Sequence, residues 1–164
     1  MTPLDVLILM GSNSDLAVMH GSMDLLREFG VACEITVASA HRSPARVEQL
    51  IDDAHARGVK VFIAGAGAAA HLAGVIAART TKPVIGVPID SSSLRGLDAL
   101  LSMVQMPPGV PVATVSIGKS GATNAAVLAA QILGLSDAQV AARLEEHKRR
   151  LAEKVEQAAA RLGS

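Results

Sequence analysis

Aromatic side chains are almost missing from this sequence, which holds two Phe, no Trp and no Tyr. Single-stranded nucleic acid is gripped largely by stacking bases on aromatic rings, so that class of binding is excluded. A surplus of positive charge is missing too. Lys and Arg number 15 and Asp and Glu number 15, with no basic run that would track a phosphate backbone. Cys33 is the only cysteine, which excludes an intrachain disulfide and a Cys-based metal motif. The amino terminus has no positive segment leading into a long apolar core, so no secretory signal is read there and a cytoplasmic location is the expectation. One charge-free run, between Lys60 and Arg79, passes a crude membrane-span filter, but its glycines and central His71 argue for a helix packed on a sheet.

Half of the residues are hydrophobic, so the core must be built from Val, Ile, Leu, Met and Ala. The 164-residue length suits one domain, 1–164, divided into an α/β core over 1–134 and a terminal helix over 135–164. Leu4–Met10 is a nearly continuous apolar run, the pattern of a parallel strand covered on both faces. Gly11–Asp15 follows as a turn, with Asp15 placed to cap a helix whose stripe is Leu16, Met19, Met23, Leu26 and Phe29. Val31–Ala38 reads as the second strand. Ser43 then caps a helix with Pro44 in its first position, running to about Arg57.

Val61-Phe62-Ile63 opens a third strand that Gly65 and Gly67 interrupt, and a helix is predicted over Ala68–Arg79. Val84–Pro88 gives a fourth strand and Val112–Ile117 a fifth, with a helix through Leu97, Leu100, Leu101 and Val104 between them. Gly118–Asn124 is a further turn before a helix that reaches Leu133. Its Gly-Lys-Ser lacks the earlier glycine of a phosphate-binding P-loop. Ser136–Gln139 resembles a capping box. The helix after it carries Val140, Leu144, Leu151, Val155, Ala158 and Leu162 on one stripe, and partial packing on a second subunit and plain solvation are equally good accounts. Alternating strands and helices imply a doubly wound parallel sheet, in which ligands bind beyond the carboxyl ends of the strands.

Three turns should share that rim. Ser12, Ser14 and Arg42 can hold a phosphate, Asp15 can accept from ribose hydroxyls, and His41 and His71 can exchange protons near neutral pH. Each histidine alone is as well explained by structure as by catalysis. Residue chemistry therefore leads to a phosphorylated small-molecule site with an acid/base histidine, and stops there.

Six segments go further in combination: MGSNSD at Met10–Asp15, SAHRSP at Ser39–Pro44, AGAGAAAHLAG at Ala64–Gly74, GVP at Gly86–Pro88, LLSMVQMPPGVPVAT at Leu100–Thr114 and IGKSGATNAAVLAAQIL at Ile117–Leu133. Together they resemble the N5-carboxyaminoimidazole ribonucleotide mutases of bacterial de novo purine synthesis. The resemblance implies a flavodoxin-like three-layer α/β/α sandwich with a five-stranded parallel sheet, assembled as a homo-octamer. It implies transfer of a carboxyl group from the exocyclic nitrogen of the imidazole to C4, with no metal, nucleotide or biotin. A further implied partner is the ATP-dependent enzyme that makes the labile substrate.

By matching motif, His41 is the general acid/base, Ser12, Ser14 and Arg42 surround the phosphate, and Asp15 meets the ribose. Ser39 supports the His41 loop, while Ala66, Gly67, His71 and Leu72 surround the base and migrating carboxylate. A related class carboxylates aminoimidazole ribonucleotide directly and typically has SAHK, so Arg42 and His71 favour the mutases. A non-catalytic nucleotide-binding relative is the other alternative. Leu16, Ala68 and Ala73 depart from the family's usual Trp, Gly and Pro. Ala68 matters most, because a left-handed backbone there would be strained by a Cβ.

Overall fold

A computed structural model describes residues 2–162. The strands are β1 (Val6–Met10), β2 (Cys33–Val37), β3 (Val61–Gly67), β4 (Val84–Ile89) and β5 (Ala113–Thr114). The helices are α1 (Leu16–Glu28), α2 (Pro44–Ala56), α3 (Leu72–Ala77), α4 (Leu97–Val104), α5 (Lys119–Gly134) and α6 (Ala138–Leu162). All strand pairs are parallel, in the order β2-β1-β3-β4-β5. The chain therefore leaves β1 toward one edge and returns past it to β3, which puts the topological switch at the β1/β3 crevice. Register fixes the rim. Met10 stands opposite Val37 on one side and Gly65 on the other, so the turns after β1, β2 and β3 emerge side by side.

Alternation along β1 divides the core into two layers. Val6, Ile8 and Met10 join Met19, Leu26 and Phe29 of the α1 side and the alanines of α5. Leu7 and Leu9 join Phe62, Val47, Ile51, Ile76 and Met103 on the opposite face. Scarcity of aromatics is met by close approach. Ala122, Ala125, Ala126, Ala129 and Ala130 are all buried, and a Cβ at Gly121 would lie 1.6 Å from the Ser116 carbonyl oxygen.

Several local expectations are corrected. Gly65 and Gly67 do not interrupt β3, which continues through both. Gly65 serves packing, since a Cβ there would stand 2.5 Å from the Met19 sulfur. The following helix is only Leu72–Ala77, because Ala68–His71 is taken up by two tight turns, Ala70 N–H to Ala68 O and His71 N–H to Ala69 O, both 2.8 Å. β5 shrinks to Ala113–Thr114, and Lys119–Asn124 belongs to α5 rather than to a turn, with Gly118 at its N-cap.

Caps differ as well. Asp15 makes no side-chain cap on α1 and instead closes a capping box with Ser12 around the 3-10 turn Asn13–Asp15. Ser43 occupies the α2 N-cap position, but its hydroxyl bonds Ser39 rather than the helix. Asp137, not Ser136, caps α6, accepting from the N–H groups of Gln139 (2.9 Å) and Val140 (3.1 Å). Leu16 is exposed rather than on the buried stripe.

At ~1.5 Å per residue, the 25 residues of α6 extend roughly 37 Å. Only its first part docks. Val140 is buried, and Arg143 donates to the Phe29 carbonyl (2.7 Å) at the end of α1, over Gly30, where a Cβ would collide with the guanidinium. Leu151, Val155 and Leu162 face outward. No helix among the described residues is long and apolar enough to cross a membrane.

Candidate active site

The turns after β1, β2 and β3 enclose a cleft of about 330 Å³ at the switch point. All ten residues singled out in the sequence line it: Ser12, Ser14, Asp15, Ser39, His41, Arg42, Ala66, Gly67, His71 and Leu72. Four more lining residues were missed, namely Gly11, Ala40, Ala69 and Ser91. Ser91 follows the carboxyl end of β4, and the rule that ligands gather beyond strand ends would have found it.

The first turn is preorganised by its own hydroxyls. Ser12 Oγ accepts from the Ser14 N–H (3.3 Å) and the Ser14 hydroxyl (2.9 Å), while the Ser12 N–H donates to Asp15 Oδ2 (3.1 Å). Asp15 is almost fully covered. Burial pushes its carboxyl above the ordinary value, opposed by hydrogen bonds from the Ser12 N–H and the Ser14 hydroxyl. A carboxylate in this position is a ready acceptor for polyol hydroxyls, because accepting further donors offsets lost hydration.

Ser39 and Ser43 tie the second turn at its base. Ser43 N–H donates to Ser39 O (2.9 Å), the Ser43 hydroxyl donates to the same carbonyl (3.2 Å), and Ser39 N–H donates to Ser43 Oγ (3.2 Å). His41 stands at the tip of the resulting loop. Arg42 lies across it, with its N–H and Nε on Ser39 Oγ (3.2 and 3.4 Å) and Nη2 on Gly11 O (3.3 Å). The guanidinium so bridges the first and second turns.

The third turn supplies the back wall. Ala68 has φ of 49°, a left-handed conformation that a Cβ disfavours. Gly67 must be glycine for a separate reason, because a Cβ there would lie 1.8 Å from Ser91 Oγ. Leu72 is buried beneath the turn and contributes to the cleft lining. The turn carries His71 to His41, with His41 Nε2 and His71 Nδ1 2.7 Å apart and the rings edge to face at 72°. One nitrogen must donate and the other accept, so the pair holds one proton between the two rings. Among the described residues, no group of three or more His, Cys, Asp or Glu is placed to hold a metal ion.

A protein-family model described as AIR carboxylase matches residues 5–154. The chain is 52% identical over 155 residues to an N5-carboxyaminoimidazole ribonucleotide mutase of Thermotoga maritima, covering 94% of this chain and 90% of the relative. To the protein of that name in Bacillus subtilis it is 55% identical over 148 residues, covering 90% and 91% respectively. The crystal structure of Treponema denticola PurE superposes with a TM-score of 0.88 at 31% identity, over 99% of each chain.

Proposed function

The chain belongs to the AIR carboxylase family, and from that premise we propose that it is an N5-carboxyaminoimidazole ribonucleotide mutase of purine synthesis. The observation that carries this reading is the junction of a proton-sharing histidine pair with a serine- and arginine-lined anion end in one cleft. An isomerisation that moves carboxyl from nitrogen to carbon needs one proton delivered and one removed, and an imidazole side chain can do both.

The step balances as follows. His41, as imidazolium, protonates the exocyclic nitrogen of the carbamate while the N–C bond breaks, giving aminoimidazole ribonucleotide and carbon dioxide. The C4 carbon then attacks the retained carbon dioxide, and neutral His41 takes the C4 proton as aromaticity returns. The histidine ends as it began. Holding carbon dioxide against C4 replaces a bimolecular encounter by a positioned one. Backbone groups of Ala66, Gly67 and Leu72 surround the base and migrating carboxylate. Asp15 accepts from the ribose, and Ser12, Ser14 and Arg42 take the phosphate.

Exposed apolar residues support assembly into a homo-oligomer, for which the octamer is the proposed form. Leu94, Leu97, Leu101 and Val104 on and before α4, and Leu151 and Val155 on α6, are uncovered in the single chain. The proposed location is the cytoplasm, which a role in purine synthesis supports.

A paired assay tests the reaction. One arm supplies the N5-carboxylated ribonucleotide and the other supplies aminoimidazole ribonucleotide with modest bicarbonate, both followed by formation of the C4-carboxylated product. Rapid product in the first arm alone is the expected result. Preferential product in the second assigns direct carboxylation, and silence in both removes the enzymatic reading.

A further inference from the structure

Four serines line the cleft, and three of them are engaged by their own turns. Ser12 and Ser14 bond each other, and Ser39 Oγ accepts from Arg42. Ser91 differs. Its N–H donates to Ile89 O (3.0 Å), but its hydroxyl has no partner among the described residues.

The loop that carries Ser91 is nonetheless fixed. Ser92 Oγ donates to Asp98 Oδ2 (2.7 Å) at the start of α4 and accepts from the Leu94 N–H (3.1 Å). The Arg95 N–H closes the turn on Ser92 O (3.0 Å). Arg95 and Gly96 then take left-handed φ of 52° and 84°, and a Cβ at Gly96 would stand 2.7 Å from Ile117 Cγ2. A hydroxyl with unused donor capacity is thus held at the rim by a loop whose other bonds are made on the α4 side.

Strand order says what that hydroxyl faces. Along the rim the turns follow β2, β1, β3 and β4, from Arg42 through Ser12 and Gly67 to Ser91. Gly67 stands opposite Ile89, and a Cβ at Gly67 would lie 1.8 Å from Ser91 Oγ. A ribonucleotide with its phosphate at Ser12 and Arg42 and its base against the histidine pair points the far edge of the imidazole at Ser91. That edge is C4, because the ring joins ribose through a nitrogen and the exocyclic amine sits on the carbon beside it.

We propose that Ser91 is a specificity-determining residue whose hydroxyl donates to the carboxylate once it is on C4. The inference rests on the mutase reading above and extends the site to a fourth strand end. The bond to a C4 carboxylate is charge-assisted, whereas neutral carbon dioxide is a poor acceptor. Ser91 therefore favours the carboxylated product over aminoimidazole ribonucleotide with carbon dioxide separated from it, and without the hydroxyl more carbon dioxide escapes. In the escape route the N–C bond breaks, His41 protonates the exocyclic nitrogen, and His41 regains its proton from water.

The test uses the full chain as Ser91→Ala, Ser91→Thr and Ser93→Ala, the last a serine of the same loop outside the cleft. Titration calorimetry compares the C4-carboxylated ribonucleotide with aminoimidazole ribonucleotide. Product analysis, after subtraction of uncatalysed decay, gives the ratio of these two compounds formed from the N5-carboxylated substrate. Ser91→Ala should bind the C4-carboxylated ligand about tenfold more weakly, with affinity for aminoimidazole ribonucleotide within about twofold. The product ratio should shift toward aminoimidazole ribonucleotide. Ser91→Thr, which keeps a hydroxyl, should recover part of both effects, and Ser93→Ala should match the parent. Equal weakening of the two ligands in Ser91→Ala, unchanged binding of the carboxylated one, or a Ser93→Ala defect of the same size would overturn the assignment. Calorimetry needs no turnover, so a parent silent as a mutase whose preference for the carboxylated ligand falls in Ser91→Ala would refute the reaction and not the contact.

Discussion

His41 Nε2 and His71 Nδ1 stand 2.7 Å apart, although thirty residues separate them and they leave different strands. Their rings cross edge to face instead of stacking, which aims one ring nitrogen at the other. Whichever carries the proton, the partner fixes its tautomer, and so determines what His41 can present to the imidazole.

Replacing His41 with Asn should leave substrate binding nearly intact and lower kcat by about 10²–10⁴, the range for losing a general acid/base. His71→Asn keeps a polar partner for His41 and should cost less than His71→Leu, which leaves Nε2 unpaired. Single-turnover rates and equilibrium substrate binding, measured on all three variants, separate these effects. Near-normal turnover in His41→Asn would remove it from the proton path.

Gly67 and Ser91 form a second dependent pair. A Cβ at Gly67 would stand 1.8 Å from Ser91 Oγ and 3.1 Å from the Ile89 carbonyl oxygen, so Gly67→Ala must push Ser91 or the β3 end out of place. Activity should fall in Gly67→Ala and recover partly in the double variant Gly67→Ala/Ser91→Gly, where the hydroxyl is gone. Additive loss in this double-mutant cycle would show that the clash is not what matters.

Ala68, at φ of 49°, gives a prediction of opposite sign. A left-handed non-glycine residue costs roughly 1–2 kcal/mol, and glycine's larger unfolded-state entropy offsets roughly half of the gain from replacing it. Ala68→Gly should therefore stabilise the fold by up to about 1 kcal/mol, read as a higher denaturant midpoint with an unchanged m-value. Its effect on KM reports whether the strained turn helps hold the base. A lower midpoint would mean that the Ala68 methyl makes a packing contribution larger than its strain.

The strands and the rim were legible in the sequence because apolar runs, turn residues and alternation agree there. The ten site residues reach one cleft because parallel register aligns Met10, Val37 and Gly65 at the same level. What was not legible follows from longer-range effects. Glycine in β3 looks like a strand break until Met19 is known to need the space beside Gly65. Asp15 looks like a helix cap until the 3-10 turn redirects its carboxyl to the Ser12 N–H. The alanines after Gly67 have high helix propensity, yet the segment must turn first to bring His71 over the cleft. The outer half of α6 is amphipathic, and nothing among the described residues covers Leu151, Val155 or Leu162.

Acid stability should carry the mark of one surface fork. Arg57 donates Nη1 to Glu34 Oε2 (2.7 Å) and Nη2 to Glu34 Oε1 (2.5 Å), a bidentate clasp between the end of α2 and β2. The hydrogen bonds from Arg57 hold the Glu34 carboxyl below its ordinary 4.5, against a smaller opposing effect of burial and with help from the guanidinium charge. A folded-state pKa below the unfolded one means that the unfolded chain binds the proton more readily. The resulting stability is present above the unfolded value of 4.5 and is lost as pH falls through the folded one. Glu34 is about half exposed, so solvent screening limits the effect to roughly 0.2–1 kcal/mol. Glu34→Gln should be less stable than the parent by a constant amount near neutrality, with the gap closing in acid and narrowing in high salt. Denaturant unfolding of both proteins across the acid range would measure it, and a gap that persists below the Glu34 titration would mean the clasp acts through packing of the side chains rather than through charge.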